Sequence, residues 1–284
     1  DARAAQAGYG FWVAAAQIRL DTAIMQESAD LIVFSDLDGT LLDHHSYRWD
    51  AATPALTALA DRGALLVLSS SKTAAEIEVL QDEIGLTGAP AIVENGAGVI
   101  GLPSHPQSDG VYNELRAALE ALPAQLRAPF EGFGDISART LAQRTGLSVD
   151  AAIKAKARRF SEPGHWHGDS ATWTEFLKAL GAKGFIGRQG GRFLTLSKGR
   201  TKADAMADLV AFYRPKHTLA LGDAPNDIEM LEAADHGVIV ANPDGPDIPR
   251  LEGEGSQQIR RTTLPGPAGW SNAVLEWLAH LPRR

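Results

Sequence analysis

A doubly wound α/β fold with a parallel sheet, interrupted by an inserted α+β domain, is what this sequence predicts. Short apolar runs alternate with helical periodicity over residues 31–100, and the same alternation resumes over residues 201–240. Between them the chain changes to charged helices punctuated by Gly and Pro, which marks the insertion. The 284 residues exceed what one ordinary core requires, in keeping with a main domain that carries a smaller one.

Residues 31–35 read as an apolar strand that ends at the turn Asp36-Leu37-Asp38-Gly39-Thr40. A helix is expected over 53–62, closed by Gly63 in the usual place of a C-terminal glycine. Residues 64–68 form a buried-strand pattern, followed by the loop Ser69-Ser70-Ser71-Lys72-Thr73, a helix over 73–84 and a short strand over 91–94. The late half adds a helix over 201–213, a strand over 217–221, a turn over 222–227, a helix over 228–234 and a strand over 237–240. Inside the insertion, helices are expected over 112–122, 137–145 and 170–180, and strands over 156–160 and 192–196. The resulting division is a core of residues 30–100 and 195–284, an insertion of residues 101–194, and an N-terminal extension, 1–29, to which no function is assigned.

Composition narrows the function classes. A formal charge of -8 argues against a surface made for nucleic-acid phosphates or anionic lipid, yet leaves room for a local basic pocket. The chain has no cysteine, so disulfides, a thiol nucleophile and cysteine-zinc sites are excluded, and any metal must use oxygen or histidine. No apolar run approaches the roughly 18 residues of a membrane span, and a cytoplasmic enzyme is the expectation, as monomer or homodimer.

In doubly wound sheets ligands bind outside the carboxyl ends of the strands. Asp36, Asp38, Asp223, Asp227, the hydroxyls of residues 69–71 and Lys202 all fall at such ends or just before a strand-bearing unit. One Asp-Gly turn often does no more than end a strand. Here a second acidic turn, Gly222-Asp223-Ala224-Pro225-Asn226-Asp227, also follows an apolar strand, and so many carboxylates at one edge would repel unless a cation lay among them. Oxygen-only ligation suits Mg2+, with Ca2+ the competing ion. An aspartate carboxylate can attack phosphorus, which makes Asp36 a candidate nucleophile and Asp38 a candidate general acid and base. Ser70 and Lys202 would meet the charge on the transferring phosphoryl oxygens.

These residues resemble the motifs of the haloacid dehalogenase superfamily. Asp36-Leu37-Asp38-Gly39-Thr40 is similar to its first motif and Ser70 to its second, with Ser69 as the one-residue-shift alternative; Lys202 matches the lysine motif and residues 222–227 the acidic motif. About 30 residues separate Asp38 from Ser70 and about 130 separate Ser70 from Lys202, which resembles the placement of a type 2B cap. Further likeness runs through His45-Ser46-Tyr47, Glu94-Asn95-Gly96-Ala97, residues 159–163, Gly191-Arg192-Phe193 and residues 266–270, and points to the mannosyl-3-phosphoglycerate phosphatase family.

The resemblance implies a phosphatase with an aspartyl-phosphate intermediate, acting on a hexosyl-3-phosphoglycerate to give a hexosylglycerate, a compatible solute. It implies Mg2+ held by Asp36, the Asp38 carbonyl and Asp223, with Asn226 or Asp227 acting directly or through water. Substrate contacts are expected from Thr40, Ser69, Ser71 and Lys72 and, in the insertion, from Arg188, Gly191 and Arg192. Either arginine could grip a carboxylate bidentately. Arg158, Arg159, Glu162, His165, Trp166 and His167 read more simply as surface, loop or rim residues. The alternatives are a sugar phosphomutase or general sugar phosphatase on the same scaffold and a silent sugar-phosphate binding module.

Overall fold

Leu31–Ser35 is buried at every position because its five residues lie inside a sheet covered on both faces, and it forms the central strand β1 of a parallel array. The computed structural model describes residues 29–102, 110–190 and 192–282. Residues 1–28 of the expected extension lie outside the described residues, as does Gly191. In chain order the other strands are β2 (Leu65–Ser69), β3 (Ala91–Val93), β4 (Gly98–Ile100), β5 (Phe130–Gly132), β6 (Glu162–Trp166), β7 (Ile186–Gln189), β8 (Leu194–Ser197), β9 (His217–Gly222), β10 (His236–Ala241) and β11 (Ile259–Pro265).

One sheet has the order β11-β10-β9-β1-β2-β3-β4, and the pairings of β1 with β2 and β9, of β9 with β10, of β10 with β11 and of β2 with β3 are parallel. The chain winds away from β1 in one direction through β2 and β3 and in the other through β9 and β10. The strand order therefore reverses between β1 and β9, the position outside whose carboxyl ends doubly wound sheets bind ligands. The helix Thr53–Asp61 ends at Arg62, and Gly63 takes the left-handed conformation (φ +62°) that lets the chain turn back into β2. Helix Gly266–His280 buries Trp270, whose indole N–H donates to Ser35 Oγ at 2.9 Å at the end of β1.

The chain divides into two compact units: one comprises the residues up to Ser70, Glu78–Ile92 and Lys202 onward, the other Ser71–Ile77 and Val93–Thr201. The second unit begins and ends several residues outside the expected insertion of 101–194. It holds an antiparallel sheet of order β5-β6-β8-β7 whose one face buries Phe130, Leu194 and Leu196 against Leu115 and Leu119 of helix Val111–Glu120 and Phe176 and Leu180 of helix Ser170–Gly181. A helical hairpin, Ala138–Thr145 and Val149–Lys156, packs separately around Leu141, Ala152 and Phe133, and its helices are capped by the side chains of Ser137 and Ser148.

Two expectations in this unit are corrected. Residues 156–160 are not a strand: Lys156 ends a helix and β6 starts at Glu162. That strand contains Pro163 and Gly164, poor strand formers, and Gly164 is needed because a Cβ there would lie 2.6 Å from the Glu131 carbonyl oxygen and the Phe130 ring. Nor is Glu162 a solvent residue; it is fully buried and accepts from the Gly134 N–H at 2.7 Å, Tyr112 Oη at 2.8 Å and Arg116 Nη1 at 3.0 Å. A buried carboxylate is tolerated only with such partners, and burial still pushes its carboxyl above the usual range.

A matched pair of glycine substitutions tests this packing. A Cβ on Gly98 would overlap the Phe160 ring, standing 2.6 Å from Cζ, whereas Gly181 has nothing within 4 Å. Gly98→Ala is expected to cost about 1–3 kcal/mol in urea denaturation, and Gly181→Ala, at a helix end, to gain about 0.5–1 kcal/mol. Equal effects of the two would contradict the packing described.

Candidate active site

Because β1 and β9 run parallel with Ser35 beside Leu221, the residues that follow them emerge side by side. Asp36 is the first residue past β1, and its N–H still donates to the Leu221 carbonyl at 2.9 Å. Asp223 is the first past β9. The chain then folds back through the single turn Pro225–Asp227, and Asp227 Oδ2 accepts the N–H groups of Asp223 and Ala224, both at 3.1 Å. Lys202, the first residue of helix Lys202–Tyr213, reaches into this edge: Nζ donates to Asp36 Oδ1 at 2.6 Å, to Asp227 Oδ1 at 2.7 Å and to the Ser69 carbonyl at 3.2 Å.

The turn after β1 is closed by its own backbone. Gly39 N–H donates to Leu42 O at 2.9 Å, Leu42 N–H to Leu37 O at 2.8 Å and Thr40 N–H to Leu37 O at 3.1 Å, with Gly39 at φ +86°. Thr40 is buried and its hydroxyl donates to Asp223 Oδ1 at 2.7 Å, stitching one acidic turn to the other. The second oxygen of Asp223 accepts from Asn242 Nδ2 at 2.6 Å. Oxygens of Asp36, Asp223 and Asp227 all lie within 4.8 Å of one another.

A model of haloacid dehalogenase-like hydrolases matches residues 33–118 and 169–245, segments that contain every residue of this cluster. A glucosyl-3-phosphoglycerate/mannosyl-3-phosphoglycerate phosphatase of Methanococcoides burtonii is 33% identical over 266 residues, covering 86% of this chain and 96% of that protein. The chain belongs to the haloacid dehalogenase-like hydrolase family. Among solved structures the fold is similar to the sucrose-phosphatase of Synechocystis sp. PCC6803, with TM-score 0.55, 18% identity and coverage of 89% and 98% of the two chains. It is also similar to a subclass IIB sugar phosphatase of the superfamily, with TM-score 0.55, 18% identity and coverage of 87% and 98%.

For this member of the family, Asp36, Thr40, Ser69, Lys202, Asp223 and Asp227 are joined by direct contacts. Ser70 is buried beside them, with its N–H on the Ile92 carbonyl at 3.0 Å, and Asp38 is half-buried in the turn. Ser69 Oγ is buried and has no partner among the described residues. Asn226 is exposed. Ser71, Lys72, Arg188 and Arg192 belong to the second unit. There the Ser71 carbonyl accepts from Arg158 Nη1 at 3.1 Å and the Lys72 carbonyl from the Glu94 N–H at 3.0 Å, while Arg188 and Arg192 are exposed.

Three buried carboxylates face one ammonium, which leaves two negative charges uncompensated. Burial pushes the Asp36 carboxyl well above the usual range; Lys202 opposes the shift, and Asp227 and Asp223 add to it. Burial likewise raises Asp223, against the hydrogen bonds from Asn242 and Thr40. Lys202 is raised: desolvation works against its charge, but the two carboxylates outweigh it. Buried oxygens with excess negative charge are a donor set that fits a hard divalent cation, which would bring the carboxylates back to their ionised forms. Asn242 escaped the sequence reading because a lone Asn one residue past a strand looks like any turn residue. The Asn242-Pro243-Asp244-Gly245 composition was its only signal, and that signal reads as a turn.

With chelator present, Asp36→Asn should stabilise the protein. A raised folded pKa means that the native state holds a proton the unfolded chain has released, so wild-type stability falls as pH rises above the ordinary carboxylate value of about 3.9. The urea midpoint of the variant in EDTA is therefore expected to exceed that of the wild type, by a margin that widens from acid toward neutral pH. A margin that narrows over that interval would contradict the electrostatics.

Proposed function

We propose that this phosphatase of the haloacid dehalogenase-like family hydrolyses a hexosyl-3-phosphoglycerate, mannosyl or glucosyl, to the hexosylglycerate and inorganic phosphate, with Mg2+ as cofactor. The observation that carries the chemistry is the buried cluster of three carboxylates and one ammonium at the ends of β1 and β9. The substrate rests on the relative from M. burtonii, whose name joins the two hexosyl forms. The product places the enzyme in hexosylglycerate synthesis, a compatible-solute route in the cytoplasm.

In this reading Lys202 holds one oxygen of Asp36 and turns the carboxylate toward phosphorus. The Asp36 carboxylate attacks, a carboxyl–phosphorus bond forms, and the bond from phosphorus to the glycerate oxygen breaks as Asp38 protonates that oxygen. Asp38 then takes a proton from water, the water oxygen attacks phosphorus, and Asp36 is released with inorganic phosphate. Ser70, Thr40, Ser69 and Lys202 supply hydrogen bonds or charge at the phosphate end. Mg2+ would be held by the carboxylates of Asp36 and Asp223 and the Asp38 carbonyl, with Asn226 or Asp227 assisting, and would offset the negative charge of phosphate and carboxylates when bound.

Selection of the glycerate carboxylate is assigned to the second unit, through Arg188 and Arg192 with Lys72 and Gly191. Among the described residues, Arg188 Nη2 meets Gly199 O at 3.5 Å, and Arg192 Nη2 meets Arg144 O at 3.2 Å with its guanidinium over the Phe193 ring, and neither is paired with a carboxylate. By contrast Arg116, Arg127, Arg144 and Arg158 are paired with carboxylates or packed into loop carbonyls. That difference leaves Arg188 and Arg192 able to meet a substrate anion.

Phosphate release measured across glycosyl-3-phosphoglycerates and simple sugar phosphates should favour the former and stop in EDTA. Full turnover after exhaustive chelation would remove Mg2+ from the reading, and indifference among substrates would remove the hexosyl-3-phosphoglycerate. Arg192→Ala is expected to lower kcat/KM for the glycerate substrates by roughly 30- to 1,000-fold, the equivalent of about 2–4 kcal/mol, with a small aryl phosphate nearly unaffected. If Arg188→Ala and Arg192→Ala both keep the wild-type ratio between these substrates, neither arginine reads the carboxylate.

A further inference from the structure

Asp223 is gripped at both ends of its carboxylate. Oδ1 accepts from the Thr40 hydroxyl at 2.7 Å and Oδ2 from Asn242 Nδ2 at 2.6 Å, so rotation about the last side-chain bond would break one bond or the other. Thr40 is fixed by the turn it belongs to. Asn242 is fixed in three ways of its own. Its Oδ1 accepts the Asp244 N–H at 3.1 Å, which settles which end of the amide is the donor. A Cβ on Gly39 would overlap its amide, and one on Gly245 would stand 2.8 Å from Nδ2, so the amide lies lodged between two residues that have no side chain. Nδ2 also lies 3.4 Å from Nδ1 of the exposed His44.

This lodging is specific for a side chain of this length that ends in a donor. An aspartate at position 242 would set a third oxygen pair against Asp223, and a longer side chain would collide with Gly39 or Gly245. Gly39 gains a role beyond its left-handed backbone: it leaves the volume in which the Asn242 amide reaches the acid. A bare Asp-Gly turn would not need an Asn just past the end of β10, a strand two places away in the sheet with β9 lying between β1 and β10.

We propose that Asn242 is a positioning residue of the phosphatase reaction: through its hydrogen bond to Asp223 Oδ2 it sets the rotation at which that carboxylate meets Asp36 around a divalent cation. The role rests on the metal reading given above. Asn242 contributes no ligand atom in this scheme. It acts by removing alternative orientations of Asp223, so its loss weakens the cation site and leaves the chemistry on phosphate intact once the cation is bound.

The test compares wild type with Asn242→Leu, which fills nearly the same shape without a donor, and Asn242→Ala. Two quantities are measured: the Mg2+ concentration for half-maximal phosphate release, and the shift of the unfolding midpoint when Mg2+ is titrated into EDTA-stripped protein without substrate. Both variants should need about 10- to 100-fold more Mg2+ by either measure. At saturating Mg2+ their KM should stay within about twofold of wild type and their kcat should be largely recovered. Their midpoints in EDTA should stay near that of wild type.

If Asn242→Leu keeps the wild-type Mg2+ dependence while Asn242→Ala loses it, the residue fills space and the proposal fails. Unchanged Mg2+ dependence in both variants also overturns it, as does a loss of kcat that saturating Mg2+ does not restore. A wild type indifferent to chelation in both measurements sinks the metal reading and this inference together. A Mg2+-dependent wild type with unaltered variants sinks only the role of Asn242.

Discussion

An ammonium group that is 1% exposed has almost no water to solvate it, so each of its N–H bonds must be answered by the protein. Lys202 finds its three acceptors at three places far apart in the chain: Asp36 after β1, the Ser69 carbonyl at the end of β2, and Asp227 in the turn after β9. If any one of these segments moves, one N–H of the buried ammonium loses its acceptor, which is unfavourable because water is not there to replace it. The sheet order brings the three strand ends into one row, and the lysine then fixes their relative positions. The arrangement still carries more negative than positive charge, so what stabilises the edge is also what makes it receptive to a cation.

The turns around this ion pair are built so that each acid has a defined orientation. Asp227 offers Oδ1 to Lys202 and Oδ2 to the two N–H groups at the start of its own turn, which makes it a clamp on the loop as much as a charge. Gly222 is required beneath it, since a Cβ there would stand 2.5 Å from Asp227 Cβ. At the end of β1 a chain of hydrogen bonds runs from the Trp270 indole to Ser35 Oγ and from that hydroxyl to the Asp36 carbonyl, at 2.9 and 2.7 Å. The last helix of the chain thus reaches the residue that enters the site first.

The core was legible because its signals are local. A five-residue apolar run followed by acids announces both a buried strand and the carboxyl end where a ligand would lie. The glycine and helix periods around residues 53–63 and 202–213 agree with the observed helices to within a residue or so. What was not legible depended on contacts distant in sequence. β6 is a strand in spite of Pro163 and Gly164, because Phe130 demands a residue without a side chain at 164 and partners on other elements satisfy Glu162. Helix Val149–Lys156 was missed because its alanines look featureless until Ala152 and Ala155 are seen packed in the hairpin. Asn242 has no signal of its own; its meaning lies in the carboxylate at position 223.

The second unit solves a different problem with the same polar chemistry. Glu162, Arg116, Asp135 and Arg127 form a partly to fully buried network in which Asp135 accepts from both arginines at 2.6 Å and from the Gly132 N–H at 2.8 Å. Near it, Glu94 enters a left-handed conformation (φ +53°) and accepts the N–H groups of Arg159 and Phe160 and the Ser161 hydroxyl. These charges are consumed in holding loops and strands, and their removal would unpair buried groups and destabilise the unit. In the proposed reading a substrate anion would be met by cations left out of this framework. Arg188 and Arg192 take no part in this network: both are exposed, and each meets the framework at a backbone carbonyl.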